Sequence, residues 1–209
     1  MNKALASACL LVLLLPWQGR AEDEKPALSP DGRWQYQLVD GHWPEIHRTR
    51  DGQRVLDLNG PTRSVPHADG REVAWSPDSK RFAFNYDPPH VPHSTYVTTA
   101  IYQLRGDEWV LLKTPIDEDS PEDSFAVLAR HLPKGVRPPR VWRTDPNRLV
   151  FKVSKWVDAD TAVLYVHAAE GSSGEHDASS SFLFTLKFDP AGKCEVISAR
   201  KATSKDIED

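Results

Sequence analysis

Bulky apolar side chains recur at every second position in several short runs of this chain. Trp34/Tyr36/Leu38, Phe82/Phe84/Tyr86 and Leu149/Phe151/Val153 each put large groups on one face of an extended strand. A turn of similar build precedes each run. Leu28-Ser29-Pro30-Asp31-Gly32-Arg33 leads into the first, and Trp75-Ser76-Pro77-Asp78-Ser79-Lys80-Arg81 into the second. A degraded copy, Trp142-Arg143-Thr144-Asp145-Pro146-Asn147-Arg148, leads into the third. The Pro presets φ for the second turn position, and the Asp side chain caps the turn. Gly, Ser or Asn then takes the tight corner. From Asp31 to Asp78 is 47 residues and from Asp78 to Asp145 is 67.

The rest of each unit continues the alternation. In the first, Glu45–Arg50, a turn at Asp51-Gly52 and Val55–Leu58 read as a hairpin. Tyr96–Leu104, a turn at Arg105-Gly106-Asp107 and Trp109–Leu112 repeat the scheme. Ala162–His167 and Ser181–Phe188 are strands of the third unit, and the Asp189-Pro190-Ala191-Gly192 turn leads to a last strand at Lys193–Ser198. One helix interrupts the pattern. Ser120 is an N-cap, Pro121 fits the first helical position, and Glu122 and Asp123 suit the first turn. Phe125, Leu128 and Leu132 form its apolar stripe until Pro133 and Gly135 stop it. It reads as an insertion packed on a sheet, and it accounts for much of the longer second offset.

Trp75-Ser76-Pro77-Asp78 with Arg81-Phe82-Ala83-Phe84, and more loosely Ser29-Pro30-Asp31-Gly32-Arg33, resemble the WD-like β-propeller repeat of TolB and of prolyl-oligopeptidase-type propeller domains. Those blades carry a W-S-P-D-G-x-R-hydrophobic motif. The resemblance implies blade-type hairpins and no particular activity. The expected fold is therefore all-β: a β-propeller-like stack of antiparallel sheets, incomplete or about four-bladed, with one short inserted helix near 121–131. The units lie near 28–60, 72–115 and 140–199, with a charged tail at 200–209. Closed propellers use about 4–8 blades of roughly 40–45 residues. Three units favour an open arrangement, whose sheet edges need covering or a partner.

Composition changes this picture mainly at the N-terminus. Lys3, the apolar run Ala4–Leu15, the helix-breaking Pro16 and the small residues of Gly19-Arg20-Ala21 read as a secretory signal cleaved after Ala21. The run is too short for a membrane span, so the expectation is a single domain at 22–209, periplasmic or secreted. Losing Lys3 and Arg20 takes the formal charge from −4 to −6, which argues against a nucleic-acid partner. Of the two cysteines, Cys9 leaves with the signal and Cys194 remains. That rules out an internal disulfide and a cysteine-rich zinc module. Cys194 reads as a small strand residue, and the tryptophans as packing between sheets.

Candidate chemistry is sparse. Asp87, His90 and His93 form the one ligand-like cluster, since two imidazoles and a carboxylate can share a metal. Pro88, Pro89 and Pro92 lie among them, so they read as a polar loop and no metal or cofactor is expected. Glu175-His176-Asp177 falls in the Gly/Ser-rich stretch 171–180. Adjacent His and Asp point to opposite faces of a strand, and the chain lacks a Gly-x-Ser-x-Gly elbow. The expectation is an exported non-enzymatic binding or scaffold protein whose partner is a protein or peptide of the envelope. The alternative is a small secreted hydrolase or metal-binding protein using His90 and His93.

Overall fold

A computed structural model describes residues 27–39, 43–58, 72–87, 97–116, 121–138, 149–170 and 178–206. They form three four-stranded antiparallel sheets and one helix. The first sheet is β1 (Ala27–Leu28), β2 (Trp34–Val39), β3 (Trp43–Arg48) and β4 (Arg54–Asp57), in that order. The second runs β5 (Glu72–Trp75), β6 (Arg81–Tyr86), β7 (Thr98–Arg105) and β8 (Glu108–Leu111). The third runs β9 (Leu149–Trp156), β10 (Thr161–Glu170), β11 (Ala178–Phe188) and β12 (Cys194–Lys201). Each sheet is a plain meander of neighbours in sequence, so the fold is the expected all-β, propeller-like stack. The helix, α1, spans Pro121–Ala129, slightly shorter than the stripe suggests.

The second sheet is the middle layer. All six residues of β6 are buried, and its two faces belong to different cores. Phe82, Phe84 and Tyr86 join Trp34, Tyr36 and Ile46 of the first sheet. Ala83 and Ile101 join Phe151, Leu164 and Phe184 of the third. β6 keeps its aromatic alternation, Arg-Phe-Ala-Phe-Asn-Tyr, and because its second face is buried too, the Arg81 and Asn85 side chains on that face must find partners inside the protein. The residues of the three period-two runs are buried, as their spacing implies, except Leu38, which is half-buried. α1 buries Phe125 and Leu128 in the second core, with the Phe125 ring 4.9 Å from that of Phe151.

The two Ser-Pro-Asp turns match bond for bond. Ser29 Oγ donates to Asp31 Oδ1 at 2.7 Å and Ser76 Oγ to Asp78 Oδ1 at 2.8 Å. The N–H of Trp34 reaches Ser29 Oγ at 3.0 Å, and that of Arg81 reaches Ser76 Oγ at 2.9 Å. Gly32 takes the corner at φ 70°, and Ser79 takes the equivalent corner at φ 58°. A non-glycine residue there is strained, but the Ser79 hydroxyl accepts the Asp31 N–H at 3.0 Å and so ties the two turns together. The third copy of the turn, 142–148, lies outside the described residues.

The middle and third sheets meet through polar groups as well as apolar ones. Arg81 donates to the carbonyls of Ala159 and Asp189, each at 2.9 Å. Gln103 donates to Pro190 O at 3.0 Å. Asn85 gives its amide N–H to Val153 O at 3.1 Å, and its amide oxygen accepts the Val153 N–H at 3.0 Å. The side chain thereby acts as a strand partner for the edge of β9. Val97 bonds the same edge from main chain to main chain, at Leu149 O and Phe151 N. Gly192 must be glycine: its φ is +87°, and a Cβ would come within 2.5 Å of Leu112. The 189–192 turn therefore seats its main chain directly on the middle sheet.

Candidate binding face on the third sheet

Of the residues singled out from sequence, Asp87 ends half-buried just after β6. His90, His93, Glu175, His176 and Asp177 lie outside the described residues. Among the described residues, no three His, Cys, Asp or Glu side chains are placed to hold a metal ion. Cys194 opens β12, and burial, with some help from Glu195, pushes its thiol up to about 12. A thiol held protonated is neither nucleophile nor ligand at neutral pH.

Each terminal sheet has an outer face turned away from the middle layer. On the first, Glu45 is buried and its carboxylate meets His47 Nε2 at 2.6 Å and Arg54 at 3.0 Å. The other His47 nitrogen lies 2.9 Å from Gly52 O. This closed set of ion pairs bonds to itself and leaves little for a ligand.

The third sheet is different. Its inner face carries Leu164, Val166, Phe182 and Phe184, so period two sends Val163, Tyr165 and His167 of β10 outward. Register places Val163 opposite Thr185, Tyr165 opposite Leu183 and His167 opposite Ser181. The pairs follow one another about 7 Å apart along the strands. A groove of about 450 Å³ runs over this face. Val163, Leu183 and Thr185 line its floor, and Lys155, Arg200 and Asp206 its sides. Leu183 is only 8% exposed although it points away from the core.

The charged tail expected at 200–209 is in part structured. β12 continues through Lys201, and a single 3₁₀ turn at Ser204–Asp206 folds back toward the sheet. Arg200 holds it with two bonds to the Asp206 carboxylate, at 2.6 and 2.8 Å. The same carboxylate accepts the N–H and hydroxyl of Thr203. Arg200, and then the Thr203 bonds, hold Asp206 well below the usual carboxylate range. The ion pair thus stays formed in mild acid.

At the other end of the face, Ser181 Oγ lies 2.9 Å from His167 Nδ1 and 3.0 Å from the Tyr165 hydroxyl. The Tyr165 and His167 rings are nearly parallel, 9° apart with centroids 6.2 Å distant. Burial pushes the His167 imidazole below its ordinary value, so it is neutral at pH 7 and offers both a donor and an acceptor. Among the described residues no carboxylate bonds to His167, so nothing there orients the ring for nucleophilic catalysis. The cluster continues the same outer face beyond the groove, with the His167–Ser181 pair next along the strands from Tyr165–Leu183. Sequence reasoning missed Tyr165, His167, Ser181, Leu183 and Arg200 as a group. The period-two pattern places the first four on the outer face; Arg200 lies beyond the expected strand and reaches that face only through the bulge in β12, and the register across β10–β11–β12 brings them together.

No protein-family model matches the chain, and no curated protein matches it.

Proposed function

We propose that this chain is an exported, non-enzymatic binding protein, a scaffold of degenerate WD-like propeller blades that engages a protein or peptide of the cell envelope. The observation that carries the reading is the outer face of the third sheet. It combines a preformed groove, an apolar floor at Val163 and Leu183, and polar groups at both ends. Such a mixture suits a peptide segment with apolar and polar side chains. The N-terminal residues support export to the periplasm or beyond, with cleavage after Ala21. The bond-for-bond likeness of the Ser29 and Ser76 turns supports a repeated blade unit. Among the described residues no helix is long and apolar enough to cross a membrane.

The test is site-specific photo-crosslinking in an exporting host, with the crosslinker placed at Thr185 in the groove or at Gln35 on the outer face of the first sheet. The expected result is one reproducible envelope adduct from position 185 and none from 35. N-terminal sequencing of the exported chain should begin at Glu22. The Ser181–His167 contact favours a second reading, a serine hydrolase. Labelling of Ser181 by an alkyl phosphonate fluoride, abolished in His167→Gln, would replace the binding reading with that one.

A further inference from the structure

β12 is the free edge of the third sheet, eight residues long, and no described strand pairs with its outer side. Its backbone can be phased from two hydrogen bonds. At one end the Asp189 N–H bonds to Lys193 O at 3.0 Å, and at the other the Ala202 N–H bonds to Ser181 O at 2.8 Å. In an antiparallel pair the bonding groups of successive residues alternate between the two sides of the strand. Counted forward from Lys193, Glu195 and Ile197 turn to β11. Counted back from Ala202, Arg200 and Ser198 do so. The two phases meet at a bulge, where Thr185 faces Ser198 but Leu186 faces Val196. Cys194, Val196, Ala199 and Lys201 therefore present their N–H and C=O groups to the open edge.

This edge complements itself. Two copies of β12 laid antiparallel about a two-fold axis between Ile197 and Ser198 put Val196 opposite Ala199 and Cys194 opposite Lys201. All four of these residues face the partner, so each of those pairs can exchange hydrogen bonds. The bulge makes this possible. In a regular strand, residues 196 and 199 would face opposite sides, and the symmetric register would fail. The side chains agree with the backbone. Glu195 and Arg200 both stand on the outer face, opposite Lys187 and Leu183 of β11, and the same register sets Glu195 of one copy against Arg200 of the other, twice per pair. Opposite charges in directly facing positions favour that register. A guanidinium has five N–H donors, enough to keep Asp206 and add a second carboxylate. Ile197, 57% exposed at the centre of the strand, is covered by the pairing.

The geometry points to self-association: β12 pairs antiparallel with β12 of a second copy of this chain. The two third sheets become one continuous eight-stranded sheet. The two-fold axis is perpendicular to that sheet, so both grooves open on the same side, where an extended or repeated partner can engage both at once. The association itself needs no groove ligand, so its test is independent of the binding proposal.

The test is the oligomeric state of the exported chain, by sedimentation velocity over a concentration series without added ligand. A reversible dimer is expected. Val196→Pro removes an N–H that no intrachain strand uses, and proline is tolerated on an outward edge position. It should leave the circular dichroism unchanged and abolish the dimer. Glu195→Arg should weaken self-association by about tenfold or more, and the double variant E195R/R200E should restore it. If Val196→Pro fails to fold, the charge-reversal pair decides alone. A monomer at the highest soluble concentration overturns the proposal, as does a dimer indifferent to these substitutions. A monomer whose β12 instead captures an extended peptide overturns it in favour of strand addition by a foreign chain.

Discussion

His167 sits on an outer face yet is sheltered enough for burial to depress its basicity. The sign of the consequence follows from linkage. The unfolded chain takes up a proton as the pH falls through about 6.5, while the folded imidazole stays neutral further into acid. Between those two values the unfolded state binds more protons, so stability falls as the pH is lowered through that window. Denaturation of the wild type at pH 7.5 and pH 5.5 should show a larger acid loss than the same pair of measurements on His167→Gln, which keeps polar contact with Ser181 but does not titrate. Equal losses would place the effect elsewhere. Asp206 is shifted in the same direction by the opposite cause, a favoured charge instead of a disfavoured one. Its carboxyl is depressed by Arg200, so the 3₁₀ turn it holds persists through this same range.

Among the elements, β9 shows how an edge strand is held without a neighbouring strand along its whole length. Its outer side is met by the Val97 main chain and by the Asn85 amide, and its own last residue, Trp156, donates Nε1–H to Ala74 O of β5 at 2.9 Å. Trp75 Nε1 makes a similar bond to Ala27 O at 3.3 Å. Ala27 and Ala74 occupy the same position, two residues before the serine of Ser-Pro-Asp, so each joint uses an indole to fasten a sheet to its predecessor. Asn85→Ala leaves both the N–H and the C=O of Val153 without partners in a buried setting. It should cost about 1–3 kcal/mol, measured as a shift of the urea midpoint at unchanged slope. A loss near zero would mean that Val97 alone holds the strand. Nothing in the sequence around Asn85 marks it, because its partner is main chain 68 residues away.

At the scale of the whole molecule, the middle sheet makes the stack one cooperative body. One face of β6 closes the aromatic core around Trp34, Trp75, Phe82 and Trp109, with Trp34 and Trp109 edge-on at 5.5 Å. Its other face closes the second core, of aliphatic residues and phenylalanines, with the third sheet. Without it the first sheet's inner face has no described cover and the third sheet's is covered only in part, by α1. Unfolding should therefore be a single transition, with tryptophan fluorescence and far-ultraviolet circular dichroism superimposable in urea. Fluorescence that changes first would show that the first joint opens separately from the second.

The fold was legible in the chain to the degree that its signals are local. Period-two runs, Ser-Pro-Asp corners and the Ser120–Gly135 punctuation depend on residues within a few positions of one another. They mark out three strands of each of the first two sheets, all four of the third, and the helix; the short strands β1 and β5 ahead of the Ser-Pro-Asp corners appear only in the structure. The stacking order, by contrast, leaves no local mark: β6 alternates aromatic and polar residues like a half-buried strand, and its burial on both faces is seen only in the structure. The candidate face on the third sheet was not legible at all. Tyr165, His167, Ser181 and Leu183 look like ordinary strand residues and Arg200 like part of a charged tail, and the candidates that stood out, His90 and His93, owed their prominence to being close in sequence. What gathers the real groove is strand register, set by long connections and by the bulge at Ile197–Ser198. Such register follows from packing the inner faces of whole sheets, a sum over many distant contacts that no short stretch of sequence contains.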